Sequence, residues 1–359
     1  MKIADVRATL LCVPLSAPIA DSTHVLRKIE FILVDVLTDQ GLTGHAHVLT
    51  FGYGTELLLR LVDTELRALL LNQDATYIER IRQMCRGHLE YIGHSGLAAW
   101  GMGAIDIALW DLLGKSLGAP VYILLGACQD QVPVYGSGGW LSYSPEQLVE
   151  EAAGYIQRGF RAVKMKVGKR DLAEDVSRVT AVRLAIGDQI KLMVDANQAW
   201  SLEQAEAFCR KARDLDIFWL EEPLTKDDED GYARLIATAG IPIAAGEREY
   251  SLEVFHRLLD RRCLAVVQPD VLRVGGITQW MKLARLAEVT HVNVASHFYK
   301  EIDIHCMAAI TNGLYLEYFP WLDPLLVQGL QISEGLARVP EVPGLGLEIR
   351  SEAIEEYRA

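Results

Sequence analysis

None of the six cysteines forms a Cys-x-x-Cys pair; Cys12, Cys85, Cys128, Cys209, Cys263 and Cys306 are scattered along the chain. That spacing excludes a zinc knot and a disulfide frame, so all six are expected as buried free thiols in a reducing compartment. A basic surplus is also missing: 35 Lys and Arg stand against 48 Asp and Glu, for a formal charge of −13. Nucleic acid is thereby excluded as a partner, because no excess positive charge exists to neutralise phosphates. An anionic ligand would need a local positive patch or a bound cation. No apolar run approaches the length needed to span a bilayer. A basic-then-apolar leader, low-complexity tracts and long charge blocks are absent too. These absences predict a cytoplasmic protein with neither membrane nor nucleic acid among its partners.

What is present is a chain of 359 residues, half of them apolar, which suits one large domain and a smaller one. Residues 1–50 alternate apolar and polar, and strands are expected over Val6–Leu15, Glu30–Thr38 and Leu42–Leu49, with Asp39-Gln40-Gly41 as a turn. Ala17–Lys28 and Thr50–Thr55 read as loops, the second carrying Phe51 and Tyr53. From Glu56 to about Gly118 the apolar period becomes helical. Three strands followed by helices describe an α+β module. Gly101-Met102-Gly103 lies inside a helical pattern and not after a strand, so it is no nucleotide loop; its small residues would let two helices approach. His45 and His47 alternate on one strand without a third ligand nearby and read as structural or pocket-lining.

From about Val132, short apolar strands alternate with amphipathic helices. Strands are expected at 132–138, 162–167, 191–196, 217–221, 241–245, 264–268, 292–296 and 314–318, and eight such units close most simply as a (β/α) barrel. An open doubly wound sheet would use the same elements, but no phosphate fingerprint supports it. After about Pro320 the repeat stops, and the tail is expected to return to the first module.

The strand ends carry the chemistry. In Ala162-Val163-Lys164-Met165-Lys166 the two lysines share one face of a strand. Side by side they repel, and each should make the other easier to deprotonate, as a carbon-acid base requires. The next strands end in Asp195 and Asn197, in Glu221 and Glu222, in Glu247, in Asp270 and in His297, and the last holds Glu317. In a barrel these ends converge on one mouth. Asp195, Glu221 and Glu247 come from three adjacent strands and would repel unless a cation sat among them. An all-oxygen set points to Mg²⁺, with Mn²⁺ possible on the same chemistry. Asp270 can orient His297 and raise its basicity. Lys166 and His297 would then face each other across a bound carboxylate, with Lys164 and a protonated Glu317 stabilising an enediolate.

Taken together, Lys164-x-Lys166, Asp195-x-Asn197, Glu221, Glu247, Asp270, His297 and Glu317 resemble the mandelate racemase subgroup of the enolase superfamily. Val13-Pro14-Leu15, Ile107-Ala108-Leu109-Trp110-Asp111 and Gly344-Leu345-Gly346 extend the resemblance over nearly the whole chain. It implies an α/β fold: a modified TIM barrel, (β/α)7β, at residues 126–320, with an N-terminal α+β capping domain at 1–125 completed by a C-terminal segment at 321–359. It implies Mg²⁺ on Asp195, Glu221 and Glu247, bases at Lys166 and at His297 assisted by Asp270, and substrate contacts from Lys164, Glu317 and Asn197. It also implies a homo-oligomer acting on a small-molecule carboxylate.

Two reactions use this set. One is dehydration of an acid sugar (aldarate or aldonate) to a 2-keto-3-deoxy acid; the other is racemisation or epimerisation of a 2-hydroxy acid. Val194-Asp195-Ala196-Asn197-Gln198 and the stretch Leu316–Pro324 resemble acid-sugar dehydratases of the talarate/galactarate type. The short loop with Phe51 and Tyr53 looks more like a racemase and suits an apolar substrate. The loop with Asp21, Ser22, Thr23, His24, Arg27 and Lys28 suits hydroxyls and carboxylates. Dehydration is the expectation. A barrel that binds such acids without turnover, and a Schiff-base aldolase working through Lys166, are the readings from other classes.

Overall fold

The computed structural model describes all residues, Met1–Ala359. Strands β1 (Ile3–Ala20), β2 (Val25–Thr38) and β3 (Thr43–Leu49) form an antiparallel sheet in that order. The first two run longer than the sequence pattern implies. After a break in register between Pro14 and Ile19, pairing resumes at Ile19↔Leu26 and Ala20↔Val25. Ile19 and Leu26 are buried there, so the expected loop over Ala17–Lys28 shrinks to Asp21–His24.

Against this sheet lies the helix Leu97–Leu117. By length and composition it could cross a membrane, contrary to the reading that no apolar run is long enough. Burial explains its composition: apolar residues face the cap sheet on one side and the barrel on the other, so no polar face is needed. A Cβ on Gly101 would lie 3.0 Å from Leu61, in the helical segment Leu61–Leu66. A Cβ on Gly103 would lie 2.8 Å from the carbonyl of Leu272, so this second approach is to a barrel loop and not to another helix.

The second sheet is parallel through β4 (Gln131–Gly138), β5 (Ala162–Lys166), β6 (Lys191–Asp195), β7 (Ile217–Glu221), β8 (Ile243–Ala245), β9 (Val266–Val267) and β10 (Asn293–Val294). The last barrel strand, β11 (Leu316–Tyr318), pairs with β4. The ring is completed by a parallel bridge, Val294↔Gly313, and by backbone hydrogen bonds such as Leu314 N to Val294 O (2.8 Å) and Ser296 N to Tyr315 O (3.0 Å). The fold is thus a (β/α)7β barrel with an N-terminal cap. Its late strands are shorter than their apolar runs, because beyond Ala245, Val267 and Val294 the backbone leaves the ladder and turns into the loops of the mouth.

The two-residue period of these strands positions the site. Tyr135, Ala162, Met193, Trp219, Ala244, Val266 and Ala295 pack as one buried layer inside the barrel. Two residues further on, the same faces carry Lys164, Asp195, Glu221 and His297; two further again on β5 comes Lys166. Ring contacts between Trp219 and Tyr135 (5.5 Å) and between Trp219 and Tyr315 (6.1 Å) fill the floor. Outer helices start on designed caps: Ser144 with Gln147, and Ser201 with Gln204, each form a reciprocal capping box.

After Pro320 the chain divides its contacts. A hairpin of β12 (Ile332–Ser333) and β13 (Leu336–Arg338) adds antiparallel to β4 and stays with the barrel. Beyond it, Gly344 accepts from Val121 N (2.9 Å), and the helix Ser351–Tyr357 packs on β1. Of the cysteines, Cys128 is exposed and Cys12 only partly covered, against the expectation that all six are buried; both lie outside the two cores, and none of the six is bonded to another.

Candidate active site

The ladder places the strand ends side by side: Lys166 pairs with Asp195, Asp195 with Glu221, and Asp270 bridges to His297. Asp195, Glu221 and Glu247 each offer a carboxylate oxygen within 4.8 Å of the others, and all three are buried. Three buried acids this close carry a large electrostatic cost unless positive charge is supplied. Part of it comes from the lysines. Lys166 Nζ lies 2.5 Å from Asp195 Oδ2, and Lys164 Nζ lies 2.6 Å from both Glu221 Oε1 and Glu317 Oε1. Glu221 is still pushed up to about 7, by burial first and then by Asp195, Glu317 and Glu247, against the pull of Lys164. Its other oxygen accepts from Gln268 Nε2 (2.8 Å) and Trp219 Nε1 (3.1 Å), which fix the carboxylate plane. A residual negative charge on fixed, all-oxygen donors suits a hard divalent cation.

The lysines behave differently from the simple like-charge argument. Burial lowers Lys166 and Lys164 lowers it further, yet Asp195, with Glu221 and Asp21, outweighs them and Lys166 ends above the ordinary lysine range. Lys164 is held higher still, because Glu221 and Glu317 overcome its burial. The expectation of a protonated Glu317 also fails: burial favours the acid, but Lys164, then His297 and Lys166, bring it down to about 2. Glu317 is therefore a carboxylate clamped on Lys164, and it accepts from Phe298 N (2.8 Å).

On the other flank, His297 Nδ1 is 2.8 Å from Asp270 Oδ2, and its Nε2 is 3.2 Å from Glu247 Oε2. Asp270 is itself fixed by the backbone N–H groups of Leu272 and Arg273, both at 2.9 Å. Burial opposes charge on the imidazole, but Glu247 and Asp270 raise it to about 9. Asn197 donates its backbone N–H to Asp195 Oδ1 (2.8 Å) and keeps a buried side-chain Oδ1 without a partner.

Lys166, Asn197, Glu247, Asp270 and His297 all line one cavity of about 380 Å³ between barrel and cap. Its far wall comes from the cap: Asp21 and His24 from one loop, Phe51 and Tyr53 from the other. The first loop is docked on the barrel, with Ser22 Oγ donating to Ala196 O (2.9 Å) and Leu141 N donating to Ala20 O (2.8 Å). Asp21 is held at about 2 despite burial, by His24 and Lys166. Lys164 and Glu317 are not part of its lining: Lys164 is bonded to Glu221, and Glu317 to Lys164. His45 and His47 take no part: His45 pairs with Asp35 (2.7 Å), and His47 is buried beside Phe31 and Tyr299.

Sequence reasoning missed several wall residues. Trp140, Phe319 and Trp321 stack on one another, at 4.5 Å between Phe319 and Trp321 and 5.6 Å between Trp140 and Trp321. Trp140 follows the one barrel strand that ends without an ionisable group, so a search for charges passes it by. Arg248 follows Glu247 directly and bonds Glu222 (3.0 Å). Arg248 sits one residue past a strand-end acid, and that adjacency was the available signal.

Residues 147–353 match the family model described as enolase C-terminal domain-like, and residues 5–126 match the N-terminal domain of the mandelate racemase / muconate lactonizing enzyme model. A 3,6-anhydro-α-L-galactonate cycloisomerase of Streptomyces coelicolor is 36% identical, covering 98% of both chains. An L-talarate/galactarate dehydratase of Salmonella typhimurium is 34% identical, covering 98% of this chain and 90% of its own. Among solved structures, an L-talarate dehydratase of a Polaromonas species, complexed with Mg and L-glucarate, superposes with a TM-score of 0.93 at 34% identity, over 100% of this chain and 97% of that one. A racemase of Streptomyces coelicolor with bound magnesium gives 0.96 at 35% identity, over 99% and 100%.

Proposed function

Because the chain belongs to the mandelate racemase / muconate lactonizing enzyme family of the enolase superfamily, we propose that it is a Mg²⁺-dependent enzyme that removes the α-proton of a small hydroxy-carboxylate and dehydrates an acid sugar to a 2-keto-3-deoxy acid. The observation that carries this reading is the placement of Lys166 and His297 on either flank of the acid trio, in one cavity.

Asp195, Glu221 and Glu247 fit a hard cation and would hold it. Bound there, Mg²⁺ supplies the positive charge that acidifies the α-carbon and steadies the developing dianion. Lys164, buried between Glu221 and Glu317, offers its ammonium to the substrate carboxylate, and Glu317 keeps that ammonium in place. Lys166 would act as the base on the α-proton once Asp195, which otherwise holds it as an ammonium, turned its charge to the cation. His297 delivers a proton from Nε2 to the departing β-hydroxyl, while Asp270 on Nδ1 holds the ring and balances its charge. Asn197 offers its unpartnered side chain to a substrate hydroxyl. Phe51, Tyr53 and His24 close the cavity over the rest of the chain. The homo-oligomer and a cytoplasmic setting belong to the same proposal.

The test is incubation with Mg²⁺ and a panel of aldarates and aldonates, with detection of keto acid. A second reading, racemisation of a 2-hydroxy acid, draws on the same pair of flanking bases and on the racemase among the structural relatives. Stereoinversion and α-deuterium uptake in D₂O without keto acid would establish it in place of dehydration.

A further inference from the structure

The cavity above the acid trio has two chemically different ends. At the metal end lie Lys166, Asn197 and His297. A run of rings leads away from it toward the cap: Trp140, whose ring centre is 5.7 Å from Lys166 Nζ, then Phe319 and Trp321, and on the cap Phe51 and Tyr53. Trp140 stacks on Phe319 (6.0 Å, 29°) and on Trp321 (5.6 Å, 22°), and Phe51 meets Trp321 edge-on at 5.7 Å. Such a wall accepts the C–H face of a sugar chain or ring, and it solvates a carboxylate poorly.

The cations bordering this wall are already engaged. Arg248 is 3.0 Å from Glu222 and 3.5 Å from Glu247. Lys226 is 3.2 Å from Asp227 and 3.7 Å from Glu249. Arg273 donates to the Glu247 carbonyl (2.9 Å) and lies over Trp100; its Nε has no partner, but its charge faces Asp270 and Glu247. His24 is tied to Thr23 (2.7 Å) and Asp21 (3.3 Å). Asp21 lines the same wall as an acid and would repel a second one.

We infer that the substrate is a monocarboxylate of the aldonate class, open-chain or ring-closed, and that the dicarboxylate aldarates are excluded. This rests on the reading above that the reacting carboxylate occupies the metal end. A second carboxylate at the far end of the molecule would be stripped of water against aromatic rings and an acid, with no uncommitted cation to receive it. A terminal hydroxymethyl group at that position incurs no such penalty.

The experiment uses the Mg²⁺-loaded full chain with aldonate and aldarate pairs matched in carbon stereochemistry, plus a ring-closed aldonate. Binding is read from the quenching of Trp140 and Trp321 fluorescence, and turnover from keto acid and α-deuterium uptake. Monoacids are expected to bind and react about 100-fold better than their matched diacids. A diacid that binds within threefold of its monoacid partner overturns the inference, whatever the chemistry. Preferential monoacid binding without exchange or product supports the inference while removing the proposed reaction. Tyr53 is largely exposed, so Tyr53→Arg should fold normally and supply the missing cation. It is expected to narrow the gap at least tenfold, mainly through diacid KM; an unchanged gap in the folded variant also counts against the inference.

Discussion

His297 Nε2 lies 3.2 Å from Oε2 of Glu247, while its Nδ1 is held by Asp270 at 2.8 Å. The imidazole therefore touches the acid trio from the side opposite the lysine strand, and its position relative to the substrate is set before anything binds. This separates the roles of the two proton carriers. In His297→Asn, α-deuterium uptake should persist through Lys166, while keto-acid formation falls by about 10³-fold. In Lys166→Ala both should vanish. Mass spectrometry of recovered substrate distinguishes the cases. If His297→Asn loses exchange and Lys166→Ala keeps it, the assignments are reversed.

Metal removal has a thermodynamic readout independent of catalysis. The trio's negative charge is only partly met by Lys164 and Lys166. A cation bound by the native state alone stabilises it by about 2.7 kcal/mol at a hundredfold excess over Kd. Melting temperature should rise by several degrees with Mg²⁺ and return on chelation. Glu221→Gln should lose most of that dependence, because one of the three donors becomes neutral. An equal rise in the variant would place the cation elsewhere.

How much of this could be read in the sequence depends on period and on charge. Barrel strands announce themselves as short apolar runs, and a period of two sends Lys164 and Lys166, or Asp195 and its predecessor Met193, to one face without any structure. The acid trio was legible for the same reason. The continuation of β1 through Ile19 was not, because two prolines interrupt the alternation and the pairing that restores it comes from β2. The protonation of Glu317 was misread since it depends on a 2.6 Å contact with Lys164 from a distant strand. The aromatic wall escaped because rings in a core and rings around a ligand look alike in a sequence.

Gly103 makes the join between cap and barrel testable. It lies in the helix Leu97–Leu117, and an added Cβ would meet Leu272 O at 2.8 Å and Gly276 N at 3.2 Å, both backbone atoms. Neither can move as a flexible side chain would. Nearby, Asp106 accepts from Thr278 N (3.0 Å), so the loop is pinned to the helix. Gly103→Ala should destabilise by about 1–3 kcal/mol through overpacking, even though Ala favours helix. The same change shifts the loop that carries Asp270 and Arg273, so kcat should fall as well. Gly87→Ala, where a Cβ meets nothing within 4 Å, serves as the control and should be neutral or slightly stabilising. A neutral Gly103→Ala would show that the loop yields more easily than its packing implies.

His305 gives the clearest dependence of stability on pH, away from the acid trio. It is fully buried; its Nδ1 accepts from Tyr122 N (3.3 Å) and its Nε2 donates to Leu345 O (2.9 Å). Those two bonds require the neutral ring with its proton on Nε2. Burial lowers the group from 6.5 to about 4, against the Leu345 carbonyl and Asp111. Between those values the unfolded chain binds the proton and the native one does not, so stability is fully present above about 6.5 and falls as pH drops toward 4. The loss amounts to about 3 kcal/mol at its fullest. His305→Gln should lower stability at pH 7 and flatten the slope between pH 6.5 and 4, as read from urea midpoints of the two proteins across that range. Parallel slopes would mean that the ring is not held neutral, and that Tyr122 and Leu345 do not depend on its tautomer.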